Sequence, residues 1–415
     1  MSRPLRTVLA ADLERALPAA LDGSGPAVSV GAGPEVAASG RRHDDRTAPH
    51  DQHDDRTVPD DVAVVVRTSG STGEPRDVML TAAALRASAR ASADRLGGTG
   101  TWLLALPVAH VAGLQVLVRS LLAGTTPVRL PPGPFEAEGF TAAVQALAGP
   151  SYCSLVPTQL VRLLDDPAAA RALASFAAVL VGGAGAPDDL LARAGAAGVR
   201  VVTTYGATET CGGAVYDGRP LDGVETTLTD DGQVMLAGPV LARGYLDRPD
   251  LDAQVLPVRA GRRWFVTSDL GRTTDDGRLE VLGRADDVLV TGGVKVAPLA
   301  VERVLTSCPG VREALVVGVS DPHWGQAVTA LVVPAEDRPT LDDLRARVSA
   351  RLGAPAAPRH LVLVDTLPLL ASGKPDRRAA AFLAARRTGA APDGTSGQGF
   401  REKSGSADPD FSRKP

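Results

Sequence analysis

The rhythm of apolar and polar positions changes several times along the chain. Over residues 4–22, Leu5, Val8, Leu9, Leu13, Leu17 and Leu21 recur at helical spacing and predict one amphipathic helix. From 36 to 60 the periodicity disappears. This polar stretch carries a short duplication, HDDRTAP at 43–49 and HDDRTVP at 53–59, and reads as a solvated, disordered-like insertion. His43, Asp44, His53 and Asp54 could be read as metal ligands, but His/Asp tracts of this kind are more often simply solvated.

From Val62 onward, short apolar runs (VAVVV, WLLALP, YCSLVP, AAVLVGG, VRVVTTYG) alternate with Ala/Leu/Arg-rich helical stretches. That alternation predicts α/β layers around a largely parallel sheet. After about 212 short strands and Asp-Gly turns dominate, which predicts a β-rich subdomain over 212–284. Beyond Gly283-Arg284-Ala285-Asp286-Asp287 the pattern becomes strand, helix, two strands, helix, strand. The helices are expected near 298–307 and over LDDLRARVSARL. Such a segment is large enough to fold alone as an α+β domain over 285–387. Residues 388–415 are rich in Gly, Ser, Pro and charge and predict a disordered tail. The fold class is therefore α/β: a large N-terminal domain over 1–284 followed by a small C-terminal one.

Composition narrows the function. The 415 residues carry 44 basic and 48 acidic side chains, a net charge of −4, so there is no basic footprint for nucleic acid. Three scattered cysteines fit neither a disulfide framework nor a metal knuckle, and they favour a reducing, cytoplasmic setting. The N-terminus lacks the pattern of a signal peptide. The most apolar stretch, Trp102 to Gly124, is broken by Pro107, His110, Gln115 and Arg119, so no membrane span is expected. Homo-oligomer formation is left open. Of the basic residues only Lys295, Lys374, Lys403 and Lys414 are lysine. In a chain that otherwise uses arginine, a retained lysine marks a place where a compact charge on a flexible stem is needed.

Four motifs carry candidate chemistry. Thr68-Ser69-Gly70-Ser71-Thr72-Gly73-Glu74-Pro75-Arg76 follows the VAVVV strand and is expected to precede a helix starting near Thr81. Glycines and hydroxyls there let backbone N–H groups wrap a phosphate, although the Walker ending is missing. Thr203-Thr204-Tyr205-Gly206-Ala207-Thr208-Glu209-Thr210 sits at a strand's C-terminal end, where open α/β sheets bind ligands. Glu209 suits a hydrated Mg²⁺ riding on phosphates, or else a helix cap. Asp269, in Thr267-Ser268-Asp269-Leu270-Gly271, offers acceptors for both hydroxyls of a ribose, and Arg284 offers a fork of donors; alternatively they are a turn Asp and a surface Arg. Ser372-Gly373-Lys374-Pro375-Asp376 places one of the rare lysines between Gly and Pro.

In this order and spacing, TSGSTGEPR, YGATET, TSDLG, GRADD and SGKPD resemble the successive core motifs of the adenylate-forming enzymes, from about Val62 to Arg378. The resemblance implies an acid–thiol ligase that uses ATP, Mg²⁺ and coenzyme A. A carboxylate attacks the α-phosphate, Mg-pyrophosphate leaves, and the acyl group passes to a thiol. By position, Ser69 to Gly73 resemble the loop on the β- and γ-phosphates. Gly183, Ala184, Gly185, Tyr205 and Gly206 resemble the adenine-side wall. Thr208 resembles the α-phosphate contact, Glu209 the Mg²⁺ ligand, and Asp269 and Arg284 the ribose contacts. Lys374 resembles the catalytic lysine, whose fixed charge would stabilise the pentavalent phosphorus. Asp286 resembles a hinge between two poses of the small domain. One presents Lys374; the other presents Gly293, near Lys295, to build the pantetheine tunnel.

Two departures stand out. Arg76-Asp77 replaces the family's usual Lys-Gly, which puts a negative charge beside the phosphate loop. The N-terminal region is also shorter than in typical members. The run from Tyr205 to Gly218, together with His110, Gly113 and Arg119, further resembles a branch of CoA ligases acting on an aromatic dicarboxylate. The carboxylate that does not react would need a buried partner, for which Arg119 and His110 are the candidates. A surface role for Arg119, and a general gating role for His110, remain as alternatives. Another acyl- or aryl-CoA ligase, a stand-alone enzyme loading a carrier-protein thiol, and a non-catalytic nucleotide binder are the rival readings.

Overall fold

The computed structural model describes residues 1–30, 53–68, 75–335, 337–370 and 375–389. Two sheets build the large domain. The first has six strands in the order Gly244–Tyr245, Arg76–Thr81, Val62–Thr68, Ala27–Val30, Ser2–Val8 and His53–Pro59. The second has seven, in the order Arg219–Pro220, Gly212–Tyr216, Val201–Ala207, Ala178–Gly182, Ser151–Leu155, Thr101–Leu104 and Val128–Arg129. Its last five are parallel to one another.

The helices Ala82–Leu96 and Val111–Ala123 lie between the two sheets. One apolar cluster joins Val64, Val66, Val78 and Leu80 of the first sheet to Leu85 and Leu114 of these helices, and to Leu104, Leu180 and Val202 of the second. A near-continuous apolar strand such as Val62–Thr68 is what a layer covered on both faces requires. Thr81 starts the helix Ala82–Leu96, its hydroxyl accepting from the Ala84 N–H at 3.0 Å.

Two local expectations are corrected, and one unpredicted strand is added. Residues 4–22 are not one helix. Ser2–Val8 is a strand with Leu5 and Val8 turned inward, and the helix is Leu13–Asp22. The second copy of the duplication, His53–Pro59, is a strand antiparallel to Ser2–Val8 rather than loop. The first copy and His43 and Asp44 lie outside the described residues. The helix expected near Thr81 is Ala82–Leu96, but a strand precedes it that the sequence reading missed: Arg76–Thr81 returns antiparallel, with Thr68 opposite Arg76. Val78, Met79 and Leu80 form its buried apolar run.

Gly212–Tyr216 and Arg219–Pro220 complete the second sheet. A separate four-stranded sheet of Glu225–Leu228, Gln233–Ala237, Phe265–Thr273 and Leu279–Arg284 therefore begins later than the change of texture at 212. In the small domain, helices Pro298–Thr306 and Leu341–Leu352 pack one side of the sheet around Gly325–Pro334, and Arg377–Thr388 packs the other. Arg377 anchors that last helix. It donates to both oxygens of the buried Glu302, at 2.7 and 3.1 Å, and lies 3.0 Å from Asp287.

Candidate functional site

The C-terminal ends of Ala178–Gly182 and Val201–Ala207 converge beside the four-stranded sheet. Gly183, Ala184 and Gly185 form an exposed loop there. A Cβ on Gly185 would lie 3.0 Å from Leu299 of the small domain. Tyr205 donates its hydroxyl to Asp269 Oδ2 at 2.8 Å. Asp269 and Arg284 are Cα partners across adjacent strands, with Arg284 Nη1 3.7 Å from Asp269 Oδ1. Arg284 also donates to Asp286 Oδ2 at 3.0 Å, so four of the predicted residues form one continuous polar chain. Burial and the Asp269 carboxylate both push the Tyr205 phenol up, so it remains a donor. Asp269 lies inside the strand Phe265–Thr273 and not at a turn. Gly206 has no room for a side chain: a Cβ would lie 2.1 Å from the Gly212 carbonyl oxygen.

Thr208–Thr210 forms a single 3-10 turn after Val201–Ala207, and Glu209 projects from it half-buried. Its Oε1 accepts from the Tyr245 hydroxyl at 2.7 Å. The Arg76 guanidinium lies close enough to act on that phenol, drawing its pKa down against the effect of burial. Asp77, the next residue on the strand, faces the other way and lies 3.1 Å from Arg56 and 3.8 Å from Arg67. Its charge is thus held by two arginines on the side away from Glu209.

The helix Val111–Ala123 runs from the exposed His110 into the core. Gly113 lets it approach the preceding turn, since a Cβ there would sit 2.3 Å from the Pro107 oxygen. Gln115 donates to the Cys211 carbonyl at 2.8 Å. One turn later Arg119 is only 7% exposed. Its Nη2 donates to Ser92 Oγ at 3.1 Å and to the Tyr216 hydroxyl at 3.3 Å, and the guanidinium lies 4.8 Å from the Trp102 ring centroid. Its Nε has no hydrogen-bond partner, and no ion pair forms with any carboxylate among the described residues. The surface reading of Arg119 is therefore excluded.

The AMP-binding enzyme family matches residues 7–246, and the C-terminal domain of AMP-binding enzymes matches residues 300–374. The chain belongs to the AMP-binding enzymes. It is 49% identical to the probable 2-succinylbenzoate–CoA ligase of Mycobacterium tuberculosis over 326 residues, which are 77% of this chain and 84% of that one. It is 34% identical to the 2-succinylbenzoate–CoA ligase of Geobacillus kaustophilus, over 77% of this chain and 69% of that one. The o-succinylbenzoate CoA synthetase of Bacillus subtilis, solved with its acyl-adenylate intermediate, superposes with a TM-score of 0.68 at 28% identity, covering 89% of this chain and 81% of that one. The amide bond synthetase of Marinactinospora thermotolerans superposes with a TM-score of 0.71 at 29% identity, covering 91% and 79%.

Within this AMP-binding enzyme, Ser69, Gly70, Ser71, Thr72 and Gly73 lie outside the described residues, as does Lys374. The flanks of both segments are ordered: Thr68 pairs with Arg76, and Leu369 pairs with Pro375. Gly293 and Lys295 are exposed on the hairpin Leu289–Thr291/Val294–Val296. No group of three or more His, Cys, Asp or Glu suited to a metal occurs among the described residues. A lone carboxylate with one oxygen engaged fits a hydrated Mg²⁺ that takes its other ligands from water and nucleotide phosphates.

Tyr245, Tyr216 and Ser92 are the polar partners that the sequence reading missed. The signal available was scarcity. Of only four tyrosines in the enzyme, Tyr205, Tyr216 and Tyr245 each place their hydroxyl on a candidate site residue.

Proposed function

We propose that the enzyme is an o-succinylbenzoate–CoA ligase acting in menaquinone biosynthesis. It would join o-succinylbenzoate to ATP, forming an acyl-adenylate and pyrophosphate, then transfer the acyl group to coenzyme A with release of AMP. The 2-succinylbenzoate ligases among its relatives support the substrate. The observation that carries it is the buried Arg119, whose protein partners are all neutral. A guanidinium taken out of water without a counter-charge is costly. A substrate bringing a second, unreactive carboxylate would supply that charge. His110, at the mouth of the same helix, is assigned to the acyl entrance.

In the first step Asp269 and Arg284 hold the ribose, and Gly183 to Gly185 with Tyr205 wall the adenine. Thr208 contacts the α-phosphate, and Lys374 stabilises the charge that builds as the carboxylate oxygen bonds to phosphorus. Mg²⁺ held by Glu209 would neutralise the departing pyrophosphate. In the second step the thiol sulfur bonds to the acyl carbon, the acyl–phosphate bond breaks, and the thiol proton is lost.

We read the pose as that of the first step. The stretch leading to Lys374, Thr366 to Leu369, lines a cleft of about 200 Å³ with Thr158, Val161 and Arg162 of the large domain. The Gly293 hairpin meanwhile stays exposed.

The test compares o-succinylbenzoate with its analogue lacking the ring carboxylate. Arg119→Leu should raise KM for the dicarboxylate by at least about tenfold, the scale of losing a hydrogen bond to a charged group. The KM for the mono-acid should hold or improve. An unchanged preference contradicts the assignment.

A further inference from the structure

Tyr245 lies 36 residues from Glu209 in the chain, on a two-residue strand that pairs with Arg76–Thr81. Its ring is 2% exposed, so backbone pairing and packing fix the hydroxyl. That hydroxyl meets the Glu209 carboxylate at 2.7 Å and the Arg76 side chain. The phenol O–H donates to this carboxylate oxygen, which can only accept.

We propose that Tyr245 is the positioning residue for the magnesium carboxylate: it occupies Oε1 of Glu209 and leaves Oε2 aimed at the hydrated ion on the ATP phosphates. Oε2 accepts no hydrogen bond from the described residues. A glutamate on a short 3-10 turn has three side-chain torsions and would otherwise rotate away from a singly ligated ion. A second donor fixes the oxygen and its rotamer, as outer partners of metal ligands do elsewhere. The shared contact with Arg76 ties this carboxylate to the strand on which the phosphate-loop hairpin returns. The inference rests on the reading of Glu209 as the Mg²⁺ ligand.

The test is calorimetric binding of ATP to the full enzyme, without acid or CoA, across a Mg²⁺ titration, with AMP binding measured alongside. Tyr245→Phe keeps the ring and its packing. It should raise the half-saturating Mg²⁺ about tenfold, the lower end of what such partners contribute, and leave AMP binding unchanged. Glu209→Gln should shift it at least as far, and Tyr245→Phe should add nothing in the Glu209→Gln background. Thioester formation from supplied acyl-adenylate, which needs no pyrophosphate departure, should be spared.

If Glu209→Gln leaves the Mg²⁺ dependence unmoved, the underlying reading fails. If Glu209→Gln shifts it and Tyr245→Phe does not, the positioning role fails. A Tyr245→Phe enzyme that loses AMP binding as strongly as Mg·ATP binding also overturns it, because the hydroxyl would then support the whole site.

Discussion

Asp269 and Arg284, fifteen residues apart in sequence, are direct cross-strand partners in one antiparallel ladder, with a charged contact of 3.7 Å. This pairing joins the last strands of the β-rich subdomain to Asp286, the residue proposed as the hinge, because Arg284 also reaches it. Tyr205 closes the chain from the other side. A carboxylate held between a phenol and a guanidinium is fixed in position and remains partly exposed, which supports the proposed ribose contact.

Asp269→Ala is accordingly expected to weaken AMP binding about tenfold to a hundredfold, from about 1.5–3 kcal/mol for hydrogen bonds to a charged group. The analogue 2′,3′-dideoxy-AMP should bind parent and variant equally. Equal losses for AMP and the dideoxy analogue would show that Asp269 acts through structure rather than through the ribose hydroxyls.

The Asp77 that departs from the family pattern is expected to be tolerated. It faces Arg56 and Arg67 rather than the Tyr245–Glu209 cluster. Partly exposed pairs of this kind contribute about 0–1 kcal/mol, so Asp77→Asn should leave the KM for ATP within about twofold. A tenfold gain in ATP affinity would mean that its charge reaches the phosphates after all.

Glu313 gives a pH prediction. It lines the cleft between the domains, where burial raises its carboxyl above the usual range although Arg312 and Arg162 act against this. The folded state thus favours the protonated form. Its stabilising contribution is complete below the ordinary glutamate value of about 4.3 and is lost as pH rises through the higher folded value. Glu313→Gln, which stays neutral, should melt above the parent near neutral pH, and the gap should close at about pH 4. A gap independent of pH would assign the effect to packing.

Much of this arrangement was legible in the sequence, because the polar motifs end buried β runs that announce themselves. VAVVV forms a strand of the first sheet, while AAVLVGG and VRVVTTYG supply neighbouring parallel strands of the second, so that Gly183 to Gly185 and the Thr208–Thr210 turn follow from the same end of that sheet. What failed did so for physical reasons. Leu5 and Val8 imitate helical spacing, yet a bulged strand also turns them both inward. The hairpin after Thr68 was hidden because the six residues Arg76–Thr81 are long enough for a strand but not distinctive. The partners of Arg119 and Glu209 lie 27, 97 and 36 residues away, a range that no local pattern reports.

The central claim is the reaction itself. Purified enzyme given Mg-ATP, coenzyme A and o-succinylbenzoate would be assayed by mass spectrometry, with benzoate and a medium-chain fatty acid as separate controls. The account predicts o-succinylbenzoyl-CoA together with AMP, and little thioester from either control. Thioester formed equally from the controls, or AMP released from none of the acids, would contradict it.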